Sequence, residues 1–539
     1  MLRRPYHEEN RVIARWLAVI APLALLAIPL ALREPADRPA PGARPLVIIT
    51  PHNEAIRAEF TRAFRAYAQR ELGHDVEIDW RTPGGMSDIS KLINEQYTAV
   101  GAERLAGFDR TFNDPKAGDT PARTAFLASD LGIGIDLVFG GGEFDHRSLA
   151  GKGYLVDAGL LQAMPDLFRD EVIPQTLAGE TIYDPQGRYY GTALSSFGIC
   201  YNPDRVAALT SPHLAEFRDA NTPGEFFSGW SDLAHPALRG QVVMADPTKS
   251  GSIATCYVMM LQEQLAAAVK QAGATPATAT PEHLDAGWLN GLTLIKGIAG
   301  NARSVTDSAS KVPRDVGRGD AIAGMCIDFY GRSEAEWTAQ ESARERVVFT
   351  TPKGGTSISA DPIALLRGAP QRAEAVAFIR FVLSVDGQRL WNYRVGEPGG
   401  PTRYALRRWS VRRDLFTPEH LAHGSDPDEN PFILAQSFSF QPAWTSPYFD
   451  LIRATIKAVV LDPREELQEA WAAIIAADQQ NSPAWQHFIW LPYDYRAASA
   501  ARKRLADDRI TTMREWTIAA QQHYREAAHL ARASAGERR

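Results

Sequence analysis

The sequence has few cysteines, and their spacing matches no metal-binding or redox motif. Its 539 residues include Cys200, Cys256 and Cys326, which lie far apart and form neither a CxxC pair nor a zinc-type Cys/His pattern. This argues against a fold that depends on disulfides and is compatible with an exported bacterial protein. Because unpaired cysteines usually behave as small hydrophobic residues, we expect all three in the core.

The common catalytic motifs are also missing. The chain contains no G-x-S-x-G, Walker loop, H-E-x-x-H or full dinucleotide fingerprint. Ser308-Ala-Ser-Lys311 matches S-x-x-K and Lys249-Ser-Gly251 resembles K-T-G, a pair found in serine acyl-transfer enzymes. Their order along the chain is reversed here and the middle motif is not evident, so we interpret the pair as chance. The sequence therefore predicts a protein that is not an enzyme and needs no cofactor.

Neither sign of charge is in large excess. The 58 lysines and arginines and the 64 aspartates and glutamates are interspersed and give a formal net charge of -6. Nucleic-acid binders usually show a basic patch and a high pI, so we expect no nucleic-acid partner. The hydrophobic fraction of 45% is ordinary for a globular protein, and the length allows two to four domains with a large core.

The longest apolar run lies at the N-terminus. Four arginines within the first 15 residues precede an uncharged run of 17 residues, 16–32, which Arg33 and Glu34 end. The run is at the short limit for crossing a bilayer, and neither a clear A-x-A site nor a lipobox cysteine follows it. We predict that residues 1–34 form a membrane anchor or a cleaved signal peptide, followed by a linker at 35–44. Either form would place the protein on the periplasmic side of the bacterial inner membrane.

Strand and helix patterns alternate over most of the remaining chain. Short apolar runs at 46–50, 76–80 and 136–139 predict buried strands, with helices between them. Such alternation indicates an α/β fold with a parallel sheet, whose ligands lie beyond the carboxyl ends of the strands. A second alternating pattern follows at 203–345. The segment after about 410 is helical in pattern, and its charged end is expected to be a solvated helix.

Three stretches of the chain resemble the extracellular solute-binding proteins of the iron(III), sugar-phosphate and 2-aminoethylphosphonate group of ABC importers. They are Ser195-Ser-Phe-Gly-Ile-Cys-Tyr-Asn202, Asp246-Pro-Thr-Lys-Ser-Gly-Ser252, and Pro352 to Ile363 together with Phe378 to Ser384. The resemblance covers about 45 to 410. It implies a two-lobed, periplasmic-binding-protein-like fold of class II with a hinge of two crossover strands. It also implies an ABC permease and an ATPase as partners.

The resemblance divides the chain into lobes and leaves a segment outside them. Residues 45–195 and 350–410 would form lobe 1, 196–349 would form lobe 2, and 411–539 would be a helical C-terminal extension. On this interpretation the chain is the solute-binding component of an importer, which captures a small ligand between its lobes.

The most informative candidate site is Ser250-Gly-Ser252 at the start of a helix. Serine is a strong N-cap, glycine allows a ligand to approach the backbone, and the first N–H groups of a helix favour an anion. We therefore expect a small anionic ligand, with a phosphorylated or phosphonate compound favoured. The other candidate ligand-binding residues are His52, Asn53, Gly84, Gly85, Gly141, Gly142, Ser196, Thr306 and Tyr330.

Two alternatives remain open at the level of sequence. The iron-binding relatives place two adjacent tyrosines where this chain has Asp328-Phe-Tyr330, so Tyr330 alone remains, and His52 is offset from the expected histidine. These two residues would be the ligands if the protein carried ferric iron, but we favour no metal. The second alternative is a membrane-tethered sensor that signals through the extension.

Overall fold

The computed structural model describes residues 42–537, apart from 106, 211, 213, 215–225, 343–345 and 478–481. The predicted membrane anchor or signal peptide at 1–34 and most of the linker at 35–44 lie outside the described residues. Within the described ranges, no helix combines the length and the apolar character needed to cross a membrane.

The strands form two main sheets and one small hairpin. In chain order they are β1 (Arg44–Ile49), β2 (Val76–Arg81), β3 (Leu137–Phe139), β4 (Leu155–Val156), β5 (Thr176–Leu177), β6 (Glu180–Thr181), β7 (Tyr190–Ser195), β8 (Phe197–Tyr201), β9 (Val242–Ala245), β10 (Ala302–Thr306), β11 (Ala323–Ile327), β12 (Val348–Thr350), β13 (Ser359–Leu366) and β14 (Trp409–Ser410).

A seven-stranded sheet forms the first lobe, in the order β14-β7-β13-β3-β1-β2 with β4 beside β13. Strand β1 lies parallel to β2 and β3, whereas β13 runs antiparallel to β3 and β7. Strands β3 and β7 are buried along their whole length, as expected where both faces of a sheet are covered. Because β1, β2 and β3 are parallel, the loops that follow them meet at one edge of the sheet.

A five-stranded sheet forms the second lobe, in the order β10-β9-β11-β8-β12. Strand β9 lies parallel to β10 and β11, and β8 runs antiparallel to β11 and β12. The chain passes between the sheets at Ser196, between β7 and β8, and returns between β12 and β13. The predicted two-lobed α/β architecture is thereby confirmed, with the two passages where the hinge was expected.

The helices cover the sheets and build the C-terminal extension. They are α1 (Glu54–Glu71), α2 (Met86–Arg104), α3 (Pro121–Leu127), α4 (Glu143–Gly151), α5 (Leu160–Ala163), α6 (Pro203–Ala207), α7 (Gly251–Gln271), α8 (Pro281–Gly300), α9 (Lys311–Gly317), α10 (Asp328–Ser342), α11 (Arg372–Leu383), α12 (Val385–Asn392), α13 (Pro418–Leu421), α14 (Pro431–Leu434), α15 (Pro442–Thr445), α16 (Phe449–Ile456), α17 (Arg464–Ala477), α18 (Pro483–Phe488), α19 (Ala498–Asp507) and α20 (Arg509–Glu537).

Helix α1 shows how the sequence pattern creates the core of the first lobe. Asn53 caps the helix by accepting a hydrogen bond from the N–H of Ile56 at 3.1 Å. Phe60 and Phe64, four residues apart on one face, are fully buried. The ring of Phe60 lies 4.7 Å from that of Trp391, and Phe64 lies 4.8 Å from Phe378. Burial of each large ring contributes roughly 1.5–3 kcal/mol to folding.

The C-terminal extension belongs to the cores of both lobes. Residues 411–435 pack on the first lobe, where Val411 and Phe432 join its core. From Phe438 onwards the buried side chains belong to the core of the second lobe, which also contains the three free cysteines. The expectation of a solvated terminal helix is wrong for one face of α20, because Tyr524 is buried and donates a hydrogen bond to the carbonyl of Val459 at 2.6 Å.

Candidate functional site

A cleft with a volume of about 720 Å³ lies between the lobes and is lined by both of them and by the extension. The loops after β1, β2 and β3 form part of its wall, as expected for the carboxyl ends of parallel strands. All the predicted site residues except Ser196 and Thr306 line this cleft. They are His52, Asn53, Gly84, Gly85, Gly141, Gly142, Ser250, Gly251, Ser252 and Tyr330.

The structure does not place Ser196 or Thr306 in the cleft. Successive residues of an extended chain point to opposite sides, so Ser195 and Phe197 line the cleft while Ser196 is fully buried behind it. The N–H of Ser196 donates to a carboxylate oxygen of Asp328 at 3.1 Å. The hydroxyl of Thr306 donates to the carbonyl of Ser308 at 3.0 Å and stabilises that turn. The neighbours Asp307 and Ser308 line the cleft beyond Thr306, as Ser195 and Phe197 do on either side of Ser196.

The N-terminus of α7 opens into the cleft. Ser250 is its N-cap, with its hydroxyl accepting from the N–H of Ile253 at 3.4 Å and lying 3.3 Å from the hydroxyl of Ser252. A Cβ at Gly251 would meet no atom within 4 Å, so the space above this residue is open. The first N–H groups of a helix have no partner within the helix, which makes this opening suited to an anion.

The loop before α7 is fixed by its own hydrogen bonds. A carboxylate oxygen of Asp246 accepts from the N–H of Thr248 at 2.8 Å and from its hydroxyl at 2.6 Å. Lys249 and Lys311 also line the cleft, and the ammonium of Lys311 pairs with Asp307 at 2.7 Å. The loop before the helix is therefore held in place, and the basic side chains of the cleft include Lys311, whose charge is paired with that of Asp307.

A buried charged network lies at the hinge side of the cleft. Asp361 bonds the guanidinium of Arg408 and accepts a hydrogen bond from the Nε2 of His52 at 3.2 Å. Arg408 also donates to the hydroxyl of Ser195 at 2.9 Å, and its guanidinium lies 4.6 Å over the ring of Phe329. Since Asp361 already neutralises Arg408, this arginine is not a free cation for a ligand.

The protonation states of this network follow from burial and from the ion pair. Burial acts to raise the pKa of Asp361, but the charge of Arg408 and the hydrogen bond from His52 together hold that pKa well below its ordinary value. Burial lowers the pKa of His52, and the neighbouring Asp361 offsets only part of that effect. At neutral pH the network is therefore an ionised aspartate, a charged arginine and a neutral histidine. Gly140, with φ of 95°, leaves room for the imidazole of His52, because a Cβ there would lie 2.6 Å from its Nε2.

The first lobe also contributes carboxylic acids to the cleft. Burial raises the pKa of Asp145 to about 6, and it raises that of Glu180 to about 7 although the Ser357 hydroxyl partly offsets the effect. Glu143 accepts a hydrogen bond from the hydroxyl of Tyr189 at 2.7 Å. The raised values mean that Asp145 and Glu180 carry less negative charge near neutral pH than ordinary carboxylates.

The geometry offers a poor set of ligands for ferric ion. Tyr330 lines the cleft, but burial raises the pKa of its phenol and disfavours the phenolate that iron would need. His52 is already bonded to Asp361. In the part of the chain that the structure describes, no group of three or more His, Cys, Asp or Glu side chains is arranged to hold a metal ion. The donors that remain suit an anion approached by backbone N–H groups better.

Several cleft residues escaped the sequence analysis. Asp361 lies in a stretch that carries the resemblance, but nothing local marks its ion pair with Arg408, which is 47 residues away. The extension contributes four further lining residues, Phe440, Thr445, Ser446 and Phe449. They fall in a segment without resemblance to the family, and only the folded chain brings them to the cleft.

Residues 152–402 match a family model described as bacterial extracellular solute-binding protein. This match confirms the resemblance. Phosphoglycerate transport regulatory protein PgtC of Salmonella typhimurium is 23% identical over 198 residues, which cover 37% of this chain and 39% of that protein. An uncharacterised protein of Haemophilus influenzae is 23% identical over 257 residues, 47% of this chain and 60% of that protein. The chain thus spans about two fifths of the length of the Salmonella relative.

Two of the solved structures to which the chain is similar hold different ligands. The periplasmic binding protein AfuA from Actinobacillus pleuropneumoniae, with fructose-6-phosphate bound, has a TM-score of 0.41 and 17% identity over 65% of this chain and 82% of that chain. Iron-bound HitA from Pseudomonas aeruginosa has a TM-score of 0.44 and 15% identity over 76% of this chain and 98% of that chain. Neither ligand is transferred to this chain.

Proposed function

We propose that this protein is the solute-binding component of an ABC importer on the periplasmic side of the bacterial inner membrane. It captures a small anionic ligand, a phosphorylated or phosphonate compound, between its lobes and delivers the ligand to an ABC permease and its ATPase. The solute-binding family match over 152–402 and the cleft between the two lobes support the class of function. Residues 1–34 would provide the membrane anchor or signal peptide.

The open N-terminus of α7 is the observation that favours an anionic ligand. Gly251 and Ser252 present the first N–H groups of a 21-residue helix, and the space above Gly251 is free. The partial positive charge of a helix N-terminus favours negative groups by about 0.3–1 kcal/mol at exposed sites and by up to about 2 kcal/mol where partly buried. A loop of the first lobe lies close to this terminus, because a Cβ at Gly85 would lie 3.7 Å from the carbonyl of Lys249. A ligand bound there would therefore contact both lobes.

Calorimetric titration of the purified protein tests this proposal. The probes are 2- and 3-phosphoglycerate, glucose 6-phosphate, 2-aminoethylphosphonate, inorganic phosphate and ferric citrate. The name of the Salmonella relative contains phosphoglycerate without naming the isomer. We expect at least one of the phosphorylated or phosphonate probes to bind. Gly251→Val should abolish this binding without unfolding the protein, because the added side chain fills the open space that the anion needs.

A second pair of variants distinguishes an effect on anion binding from the general cost of losing a helix N-cap. Ser250→Ala should weaken anion binding, whereas Ser384→Ala removes an equivalent N-cap from α12, outside the cleft, and should leave binding unchanged. Both changes should cost about 1 kcal/mol of stability. Tight ferric binding with a tyrosinate-to-iron absorption band that Tyr330→Phe removes would instead establish the iron alternative.

A further inference from the structure

The extension contributes an aromatic wall to the cleft. Phe440 and Phe449 line it together with Thr445 and Ser446. All four residues lie beyond the segment that matches the solute-binding family, which ends at residue 402. The cleft of this chain therefore has one side that the family match does not cover.

This wall is anchored to the helix that presents the candidate anion site. The amide of Gln262, fully buried on α7, donates to the carbonyl of Gln441 at 2.8 Å and to the hydroxyl of Thr445 at 2.7 Å. Its oxygen accepts from the N–H of Gln441 at 3.1 Å. These bonds engage both the NH₂ group and the oxygen of the Gln262 amide, so the start of the wall is held in a fixed position relative to α7.

One turn beyond Phe449, Arg453 ties the wall to the loop before Ser250. Its guanidinium donates to the carbonyls of Pro247 and Thr248 at 2.8 and 3.0 Å and to the hydroxyl of Ser87 in the first lobe at 3.2 Å. The ring of Phe449 lies 4.5 Å from that of Phe144, also in the first lobe. The segment that carries the wall is thus bonded to the loop before the helix terminus and contacts the first lobe.

The chemistry of the wall differs from that of the α7 terminus. Val258 and Met259 on α7 also line the cleft, but both are buried, whereas Phe449 is partly exposed. The accessible apolar surface of the wall therefore lies mainly at Phe449, which offers no hydrogen bond to an oxyanion. A ligand that consists only of an oxyanion would leave this surface in contact with water. A carbon body placed on it gains roughly 25 cal/mol for each Å² of apolar surface removed from water.

We propose that the extension completes the ligand site, and that the ligand is an organic phosphate or phosphonate whose carbon body packs on Phe440 and Phe449. Its oxyanion binds at Gly251 and Ser252, and this half of the inference rests on the proposed function. The cleft volume of about 720 Å³ lies in the range of pockets that enclose ligands with a substantial carbon body.

Paired titrations of the full-length protein with phenylphosphonate and inorganic phosphate test the inference. Phenylphosphonate should bind more than about tenfold more tightly than phosphate, because only its ring reaches the wall. Phe449→Ala should remove most of this preference and leave the affinity for phosphate unchanged. Phe432→Ala, which truncates a comparable ring of the extension away from the cleft, should preserve the preference.

The outcomes separate the wall from the anion site. Equal affinity for the two anions, or a preference that survives both Phe449→Ala and Phe440→Ala, overturns the inference and leaves the proposed function intact. If neither of these anions binds and the phosphorylated and phosphonate probes of the proposed function do not bind either, the anion proposal fails, and benzyl alcohol is the deciding probe for the wall. Binding of benzyl alcohol that Phe449→Ala removes supports the wall without the anion site, and absence of such binding overturns the wall as well.

Discussion

At the scale of single residues, the cleft contains two kinds of buried charge with opposite behaviour. Asp361 is kept ionised by Arg408, and removal of one partner from a buried pair of this kind typically costs about 3–5 kcal/mol. Glu180 has no cation at ion-pair distance among the described residues, and burial raises its pKa to about 7. An ionised Glu180 therefore lowers the stability of the folded protein, whereas an ionised Asp361 raises it.

Glu180→Gln should be close to neutral at pH 5 and stabilising at pH 8. The folded protein keeps the Glu180 proton up to about pH 7, whereas an unfolded glutamate loses it near pH 4.5. Between these values the folded state binds more protons, so the stability that this group contributes falls as the pH rises. Urea unfolding of the ligand-free variant and wild type at both pH values measures the difference. Glu103→Gln, at an exposed position, is the control, and a Glu180→Gln effect that is equal at pH 5 and pH 8 would contradict the assignment.

At the scale of elements, local sequence patterns were sufficient to predict the helices and strands of the first lobe. They were insufficient to predict how the extension packs. The helical spacing of Phe60 and Phe64 and the short apolar strands predicted α1 and its sheet, because these signals lie within a few residues of one another. The contact between Gly300 at the end of α8 and Trp471 on α17 joins residues 171 apart, and no local signal marks it. The same applies to Asp361 and Arg408 in the candidate site.

Gly300→Ala should destabilise the packing of α17 on α8. A Cβ at this position would lie 2.3 Å from the indole ring of Trp471, and this indole is held by a hydrogen bond to Asn301 at 2.9 Å. Overpacking of this kind costs about 1–3 kcal/mol. Gly151→Ala is the matched control, because its Cβ would meet the nearest atom at an ordinary 3.9 Å. Thermal unfolding of both variants measures the effect, and equal midpoints would show that Trp471 moves aside without cost.

At the scale of the whole molecule, the extension makes a third passage between the lobes. It begins on the first lobe with Val411 and Phe432 and joins the second lobe from Phe438 onwards. The N–H of Phe440 donates to the carbonyl of Ala178 in the first lobe at 2.8 Å. A hinge movement that opens the cleft must therefore break or stretch contacts made by the extension as well as bend the two passages at Ser196 and after β12.

Removal of the extension after residue 435 should unfold the second lobe and not merely expose the cleft. The fully buried ammonium of Lys296 donates to the carbonyls of Phe488 and Trp490, so truncation deletes both acceptors. It also uncovers the indole of Trp288, which packs on Tyr493 and Tyr495.

Hydrogen exchange measures this outcome. Truncation should remove protection in α7 and α8 and leave protection in β1 and β3, because the core of the first lobe keeps Phe432 and Val411. Co-expression of residues 436–539 as a separate chain should restore protection, since the same buried surfaces become available. Unchanged protection in α7 and α8 after truncation would mean that the extension is a separable appendage, as a signalling segment would require.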